Sequence, residues 1–117
     1  MSVSRGEIVL VDYPYSDRTG SKVRPALVIQ NDSLNHRIDD TILAAISRST
    51  HRASATQLLV DISTSEGART GLRQPSMIQC ENLLTFDQQF IILTLGKLSP
   101  SQMQQVDNCL KAALQLS

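Results

Sequence analysis

Short runs of aliphatic residues recur along most of the chain, and polar or turn-forming stretches separate them. Runs of this length that are rich in Val, Ile and Leu are typical of β-strands. We predict strands at residues 7–13, 24–30, 41–46, 57–62, 76–79 and 91–95. Five or six short strands with polar connections favour a small curved antiparallel sheet or barrel.

The C-terminal segment has a different pattern, which is that of an amphipathic helix. Ser99, Pro100 and Gln102 supply an N-cap, a first-turn proline and a capping-box partner. Apolar residues then recur at intervals of three and four on one face, namely Met103, Val106, Leu110, Ala113 and Leu114. A short helical turn is also predicted at residues 81–89. The fold class is therefore mainly β with helices (α+β), with a C-terminal helix closing the sheet.

Length and composition indicate one globular domain, residues 1–117, with no linker or repeat. The N-terminus resembles no secretory signal and no run is long enough to cross a bilayer, so we expect a cytoplasmic protein. Cys80 and Cys109 lack the spacing of zinc or redox motifs and are expected to be reduced, small hydrophobic residues. No metal-binding motif is present, so we expect neither a metal nor another cofactor.

The net charge of the chain is zero, because it contains eleven basic and eleven acidic residues. The net charge therefore does not indicate a nucleic-acid-binding protein. The distribution is more informative, since residues 41–60 contain no Asp or Glu, whereas Arg48 and Arg52 flank His51. Phosphate groups prefer such a positive patch, although a solvated loop that happens to lack acids has the same composition.

Three segments, in order, resemble the MazF/PemK family of bacterial toxins. They are RGEIVLVDYPYSD at residues 5–17, KVRPALVIQND at 22–32 and SMIQCENLLTFDQQ at 76–89. The second is the most specific, with its Arg-Pro pair, aliphatic strand and Asn-Asp. With TILAAIS and the final helix, the resemblance covers nearly the whole chain. It implies a small curved antiparallel sheet, similar to an SH3-like barrel of the CcdB/PemK type, with a C-terminal helix and assembly as a homodimer.

The resemblance also implies a function, that of an endoribonuclease toxin of a type II toxin–antitoxin system. Such a toxin cleaves single-stranded RNA at short motifs without a metal and leaves 2′,3′-cyclic phosphate and 5′-hydroxyl ends. Its partners are a cognate antitoxin and, as the toxin–antitoxin complex, operator DNA. Two alternatives stay open, because toxins of the CcdB type share the architecture without RNA chemistry. One is a non-catalytic toxin or repressor component that binds a protein or DNA, and the other is a toxin that no longer cuts.

Two residues are candidates for catalysis. Arg24 matches the arginine of the Arg-Pro motif, which the resemblance makes catalytic, and its planar guanidinium can hold two phosphate oxygens at once. Without the resemblance, an arginine paired with a surface carboxylate is the more common case. Ser47 stands where the family commonly has threonine, and its hydroxyl can hydrogen-bond the scissile phosphate. A serine at a strand end is otherwise most often a turn residue.

Five further residues are candidate RNA contacts: Lys22, Arg48 and Ser49 for the backbone, and Glu81 with Asn82 for the bases. The last two occupy the polar pair that helps to read bases in relatives. The family often carries a basic residue where Leu84 stands, so base preference does not transfer. His36 and His51 lie outside the matched catalytic motifs and are expected to be loop residues.

Overall fold

The structure of the protein, a computed structural model, describes residues 2–15, 17–50 and 54–117. Arg52 and His51, which belong to the predicted positive patch, lie outside these ranges. The described ranges contain six strands, three helices and one 3-10 turn. In chain order they are β1 (Glu7–Pro14), β2 (Ser21–Val28), α1 (Asp32–Asn35), β3 (Asp40–Ser47), β4 (Gln57–Val60), α2 (Ser65–Ala68), β5 (Ser76–Asp87), the 3-10 turn (Gln88–Phe90), β6 (Leu93–Lys97) and α3 (Pro100–Leu114).

The strands form one curled antiparallel sheet in the order β4-β5-β3-β2-β1-β6. This architecture confirms the predicted sheet with a C-terminal helix. The pairing of β2 with β3 is short and reaches only the Ala26–Ala45 pair, although β3 continues to Ser47. The two strands therefore separate beyond that pair, which opens a fork at this end of the sheet.

Each face of the sheet carries a cluster of buried apolar side chains, because successive side chains of a strand point to opposite faces. The helix-side cluster packs between the sheet and α3 and is made of Ile8, Leu27, Ala44, Ile46, Val60, Ile78, Cys80, Leu98, Val106 and Cys109. The far-side cluster fills the opposite face and is made of Val9, Val11, Tyr13, Ala26, Val28, Leu43 and Ala45. Two cysteines thus serve as buried hydrophobic residues, and both are free thiols.

Helix α3 begins as the sequence predicts. The Ser99 side chain accepts a hydrogen bond from the Gln102 backbone, and the Gln102 side chain accepts one from the Ser99 backbone. Met103, Leu110 and Ala113 pack on the helix-side cluster as expected. Leu114 does not, because it lies at the last turn and is 53% exposed, so its assignment to the apolar face was wrong. No helix in the described ranges is long and apolar enough to cross a membrane.

The helical turn predicted at residues 81–89 is wrong for most of its length. Strand β5 continues through Asp87, and only Gln88–Phe90 forms a 3-10 turn. The reason is long-range pairing, since β5 lies against β3 from Leu83 opposite Ala44 to Asp87 opposite Asp40. This pairing, with Leu84 and Phe86 packed on the far-side cluster, overrides the weak local pattern.

Candidate active site

The predicted catalytic pair lies at the fork between β2 and β3. Arg24 and Ser47 each stand two residues beyond the Ala26–Ala45 pair, on the two strands that separate there. Because side chains two apart in a strand share a face, Arg24 and Ser47 continue the face of Ala26 and Ala45. Pro25, which lacks a backbone N–H, follows Arg24 where β2 loses its partner on β3, and a missing donor is tolerated at such a position.

A cleft of about 540 Å³ opens at this fork. Its apolar part comes from β1, β2, β3, β6 and the loop before β5, through Leu10, Val23, Pro25, Ile46, Leu72 and Leu95. Its polar part contains five of the predicted residues, namely Lys22, Arg24, Ser47, Arg48 and Ser49. Sequence positions that lie far apart thus meet in one concave site.

The cleft is positively charged. Four basic side chains line it (Lys22, Arg24, Arg48 and Arg73), and its described lining holds no Asp or Glu. Within the described ranges the one ion pair joins Arg5 to Asp107, away from this cleft. Arg24 is half-buried and forms no ion pair with a described residue. It therefore differs from the alternative that the sequence left open, an arginine paired with a surface carboxylate. An uncompensated group of cations in a concave site attracts phosphate.

Ser47 is held by its own turn. Its Oγ accepts a hydrogen bond from the backbone N–H of Ser49 at 3.1 Å. A hydroxyl has one donor and two acceptor positions, so this bond orients the oxygen and leaves its proton able to donate. Ser47 can therefore both accept the hydrogen bond that closes its turn and donate one to a phosphate, as predicted for it.

Glu81 and Asn82 are not in the cleft. Asn82 lines a neighbouring groove that also contains Arg24. Glu81 points to β4, where its two carboxylate oxygens accept hydrogen bonds from Thr56 Oγ1 at 2.9 Å and from Gln57 Nε2 at 2.5 Å. Its role as a base contact stays a prediction. His36 is exposed in the loop between α1 and β3 and lines neither the cleft nor this groove, and His51 lies outside the described residues.

Sequence reasoning missed the loop of residues 71–74, which brings Arg73 and Gln74 to the cleft. Backbone contact holds this loop on β6, because an added Cβ at Gly71 would lie 2.2 Å from the carbonyl oxygen of Leu95. Gly71 also adopts a φ of +75°, which favours glycine. Gly71 was the available signal, but a single glycine does not indicate which strand its loop touches.

Elsewhere in the described ranges, no three His, Cys, Asp or Glu side chains gather into a set that can hold a metal ion. Burial raises the pKa of the Cys80 thiol to about 12, and burial also raises the pKa of Cys109. Neither cysteine contributes to the cleft lining.

Known proteins with this architecture support the family resemblance. Endoribonuclease EndoA of Bacillus subtilis (strain 168) is 32% identical over 118 residues, which cover 99% of this chain and 97% of that protein. Endoribonuclease MazF of Staphylococcus epidermidis is 33% identical over 116 residues, covering 98% and 93% of the two chains. A solved endoribonuclease in complex with its cognate antitoxin, from Mycobacterial species, superimposes with a TM-score of 0.81 at 21% identity, covering 99% and 98%.

Residues 4–114, nearly the whole chain, match the family described as PemK-like, MazF-like toxin of type II toxin-antitoxin system. This match contains β1 to α3 and therefore all the strands that line the cleft. With two relatives above 30% identity along more than nine-tenths of their length, the chain belongs to the PemK-like, MazF-like toxins of type II toxin–antitoxin systems.

Proposed function

We propose that this toxin is an endoribonuclease that cleaves single-stranded RNA at short sequence motifs, using Arg24 and Ser47 and no metal ion. The observation that carries the proposal is the cleft at the β2–β3 fork, which combines a half-buried arginine and a serine hydroxyl with three further basic side chains. Two relatives, EndoA of Bacillus subtilis and MazF of Staphylococcus epidermidis, are both called endoribonucleases, which supports the same activity here.

The proposed reaction uses a nucleophile that the substrate carries. The ribose 2′-oxygen attacks the adjacent phosphorus and loses its proton, and the bond from phosphorus to the 5′-oxygen of the next nucleotide breaks. The departing 5′-oxygen takes up a proton, so the products are a 2′,3′-cyclic phosphate and a 5′-hydroxyl. The protein has to hold the backbone in line and stabilise the negative charge of the pentacoordinate intermediate.

The described cleft offers groups suited to both tasks. In the proposed mechanism the Arg24 guanidinium donates two hydrogen bonds to the non-bridging phosphate oxygens, and the Ser47 hydroxyl donates a third. Because an arginine is a poor general base, we assign Arg24 to charge stabilisation rather than to proton transfer. Lys22, Arg48 and Ser49 then contact neighbouring phosphates, and guanidinium, ammonium and hydroxyl groups bind phosphate directly without an intervening cation.

We further propose that the toxin works as a homodimer in the cytoplasm, is held inactive by a cognate antitoxin, and binds operator DNA as the toxin–antitoxin complex. The solved relative in complex with its cognate antitoxin supports the antitoxin as a partner. Large apolar side chains near the 3-10 turn support a second copy, since Phe90, Ile92 and Leu93 are 65%, 52% and 47% exposed. Exposed apolar residues grouped in one region often mark an interface between proteins.

The test is cleavage of single-stranded RNA by the purified chain in excess chelator. We expect new 5′-hydroxyl ends, which a polynucleotide kinase labels without prior dephosphorylation, and 3′ ends that carry a cyclic phosphate in mass spectrometry. Arg24→Ala protein purified in the same way controls for contaminating ribonucleases, because it should cut far more slowly. Cleavage that stops in chelator and returns with magnesium would contradict the proposed mechanism.

A further inference from the structure

A second groove, of about 610 Å³, lies next to the cleft and shares Arg24 with it. The two sites differ in chemistry. The described lining of the cleft holds four basic side chains and no tyrosine, whereas two tyrosines, Tyr13 and Tyr15, line the groove together with Pro14, Ala45, Leu83 and Leu84. Asp17 and Arg18 give it opposite charges, and Asn82 gives it one neutral amide.

We propose that this groove is a base-binding subsite, in which Tyr15 stacks on the nucleobase next to the phosphate held by Arg24 and Asn82 hydrogen-bonds its edge. The inference rests on the proposed ribonuclease function and adds to it a division of labour between the two sites. The cationic cleft suits phosphates, and aromatic side chains provide stacking platforms for the bases of single strands. Because Arg24 borders both sites, one nucleotide can place its phosphate in the first and its base in the second.

Tyr15 is presented to solvent by a closed turn. Its backbone N–H donates to the carbonyl of Gly20 at 2.8 Å, and its own carbonyl accepts from the N–H of Arg18 at 3.1 Å. The ring lies beside Gly20, where an added Cβ would be 3.6 Å from Cε2 of the tyrosine. The side chain is nevertheless 40% exposed, so the turn holds a ring that still has surface for a ligand. Holding the ring before binding reduces the entropy lost on stacking.

Asn82 reaches the groove because β5 bulges. The β3–β5 register changes from Ala45 opposite Gln79 to Ala44 opposite Leu83, so the intervening residues of β5 have no partner on β3. Such a bulge displaces the side chains of the longer strand. Asn82 thereby comes to lie beside β1, where the hydroxyl of Tyr13 is 3.4 Å from its Oδ1 and 3.3 Å from its backbone carbonyl.

Tyr13 is a positioning residue for this amide. Burial raises the pKa of Tyr13 to about 12, so its hydroxyl stays protonated and can donate to Asn82 Oδ1. This contact, together with a 3.4 Å contact of Asn82 Nδ2 to Gln79 Oε1, gives the amide a preferred orientation. Asn82 itself is exposed, and an oriented amide presents a defined donor and acceptor to a base edge.

The test compares Tyr15→Leu with the wild type on an RNA that contains a mapped cleavage site. In a series of substrates, one nucleotide at a time beside the cut is replaced by an abasic ribose. We expect Tyr15→Leu to lower kcat/KM on intact RNA by roughly fivefold to tenfold, toward the low end of the loss for one stacked base. One abasic position should lower the wild-type value by a similar factor, and on that substrate the variant and the wild type should be equal.

Three controls separate stacking from other effects. Tyr15→Phe keeps the ring and should cut like the wild type. Leu116→Ala removes a large apolar side chain that is 60% exposed and lies outside both sites, and it should also have no effect. Tyr13→Phe releases Asn82, so it should change the base preferred at the sensitive position while leaving cleavage of the abasic substrate unchanged.

Two outcomes would overturn the subsite, whatever the variant does to antitoxin binding. One is a wild-type kcat/KM for Tyr15→Leu on intact RNA. The other is that Tyr15→Leu lowers kcat/KM by the same factor on every abasic substrate as on intact RNA. A binding measurement separates this outcome from failure of the proposed function. Fluorescently labelled 2′-O-methyl RNA has no attacking hydroxyl, and Tyr15→Leu should bind it more weakly than the wild type. Equal affinities would overturn the subsite even if the wild type proved unable to cut RNA.

Discussion

Two glycines hold the loop of the cleft against β6, and replacing them is expected to damage stability and activity together. An alanine Cβ at Gly96 would lie 2.2 Å from the carbonyl oxygen of Arg69. This oxygen accepts a hydrogen bond of 3.1 Å from the backbone N–H of Lys97. The methyl group must displace this carbonyl by about 1 Å to reach the usual carbon–oxygen contact of roughly 3.3 Å. Since this backbone leads directly into the loop with Arg73, displacement should reach the cleft.

The size of the effect follows from two contributions. Overpacking a close contact costs roughly 1–3 kcal/mol, and loss of the hydrogen bond to Lys97 adds about 1 kcal/mol. Gly96→Ala should therefore lower the free energy of unfolding by about 2–4 kcal/mol, or about 8–16 °C in Tm at roughly 4 °C per kcal/mol. Gly71→Ala should lose more, because it combines a similar clash with a φ of +75°.

Gly6→Ala is the matched control for backbone conformation. Gly6 has a φ of +99°, but an added Cβ would meet only the flexible Met103 side chain at 3.5 Å. It should lose roughly 1–2 kcal/mol from conformation alone and keep its turnover. Thermal melting at one protein concentration and kcat/KM at a temperature where all variants are folded check both expectations. A wild-type Tm for Gly96→Ala would show that the backbone accepts the methyl group, and a wild-type kcat/KM despite a lowered Tm would show that the displacement does not reach the cleft; either result contradicts this prediction.

Five further outcomes are expected. Ser47→Ala should lower kcat by roughly a hundredfold to a thousandfold, as removal of one preorganised donor does, whereas Ser47→Thr keeps the hydroxyl and should not. Arg24→Ala should lose at least as much as Ser47→Ala, and the double variant less than the product, in single-turnover assays on variants shown to be folded. Because burial raises the pKa of Cys80 and Cys109, iodoacetamide at about pH 8 should label neither thiol by mass spectrometry before unfolding. Burial raises the pKa of Tyr13 to about 12 in the folded state, against 10.0 for an ordinary tyrosine. The free energy of unfolding should therefore fall as pH rises between these two values. Tyr13→Phe should remove this part of the fall in thermal melts at alkaline pH. Light scattering at micromolar concentration should give a dimeric mass, and a fully active monomer would contradict it.

The local sequence pattern predicted most of the strands and the C-terminal helix but not the order of the strands in the sheet. The aliphatic runs of β1 to β3 and the cap at Ser99 are visible in the sequence because they depend on near neighbours. The insertion of β5 between β3 and β4 depends on pairs such as Ile46–Ile78 and Leu58–Ile78, which no local signal encodes. The same cause explains the wrong helical turn at residues 81–89, because residues 83–87 pair with β3 as part of β5.

The site was predicted in part for a similar reason. Arg24 and Ser47 became candidates because the resemblance assigns their motifs, and the structure brings them to one fork although the sequence separates them. Arg73 belongs to no motif, and its loop reaches the cleft only through the backbone contact of Gly71 with β6. Tyr15 was not recognised either, because its exposure depends on the turn closed by Gly20.

The pairing of β1 with β6 has a consequence for how the chain is made. Glu7 lies opposite Lys97, and the cleft is lined by residues from Leu10 to Leu95. During synthesis, β1 leaves the ribosome first, and its outer edge has no partner until β6 follows. Sheets that depend on such distant pairs fold slowly, in milliseconds to seconds. The cleft is therefore complete only after β6 has been synthesised, and a product truncated before β6 lacks part of the cleft lining.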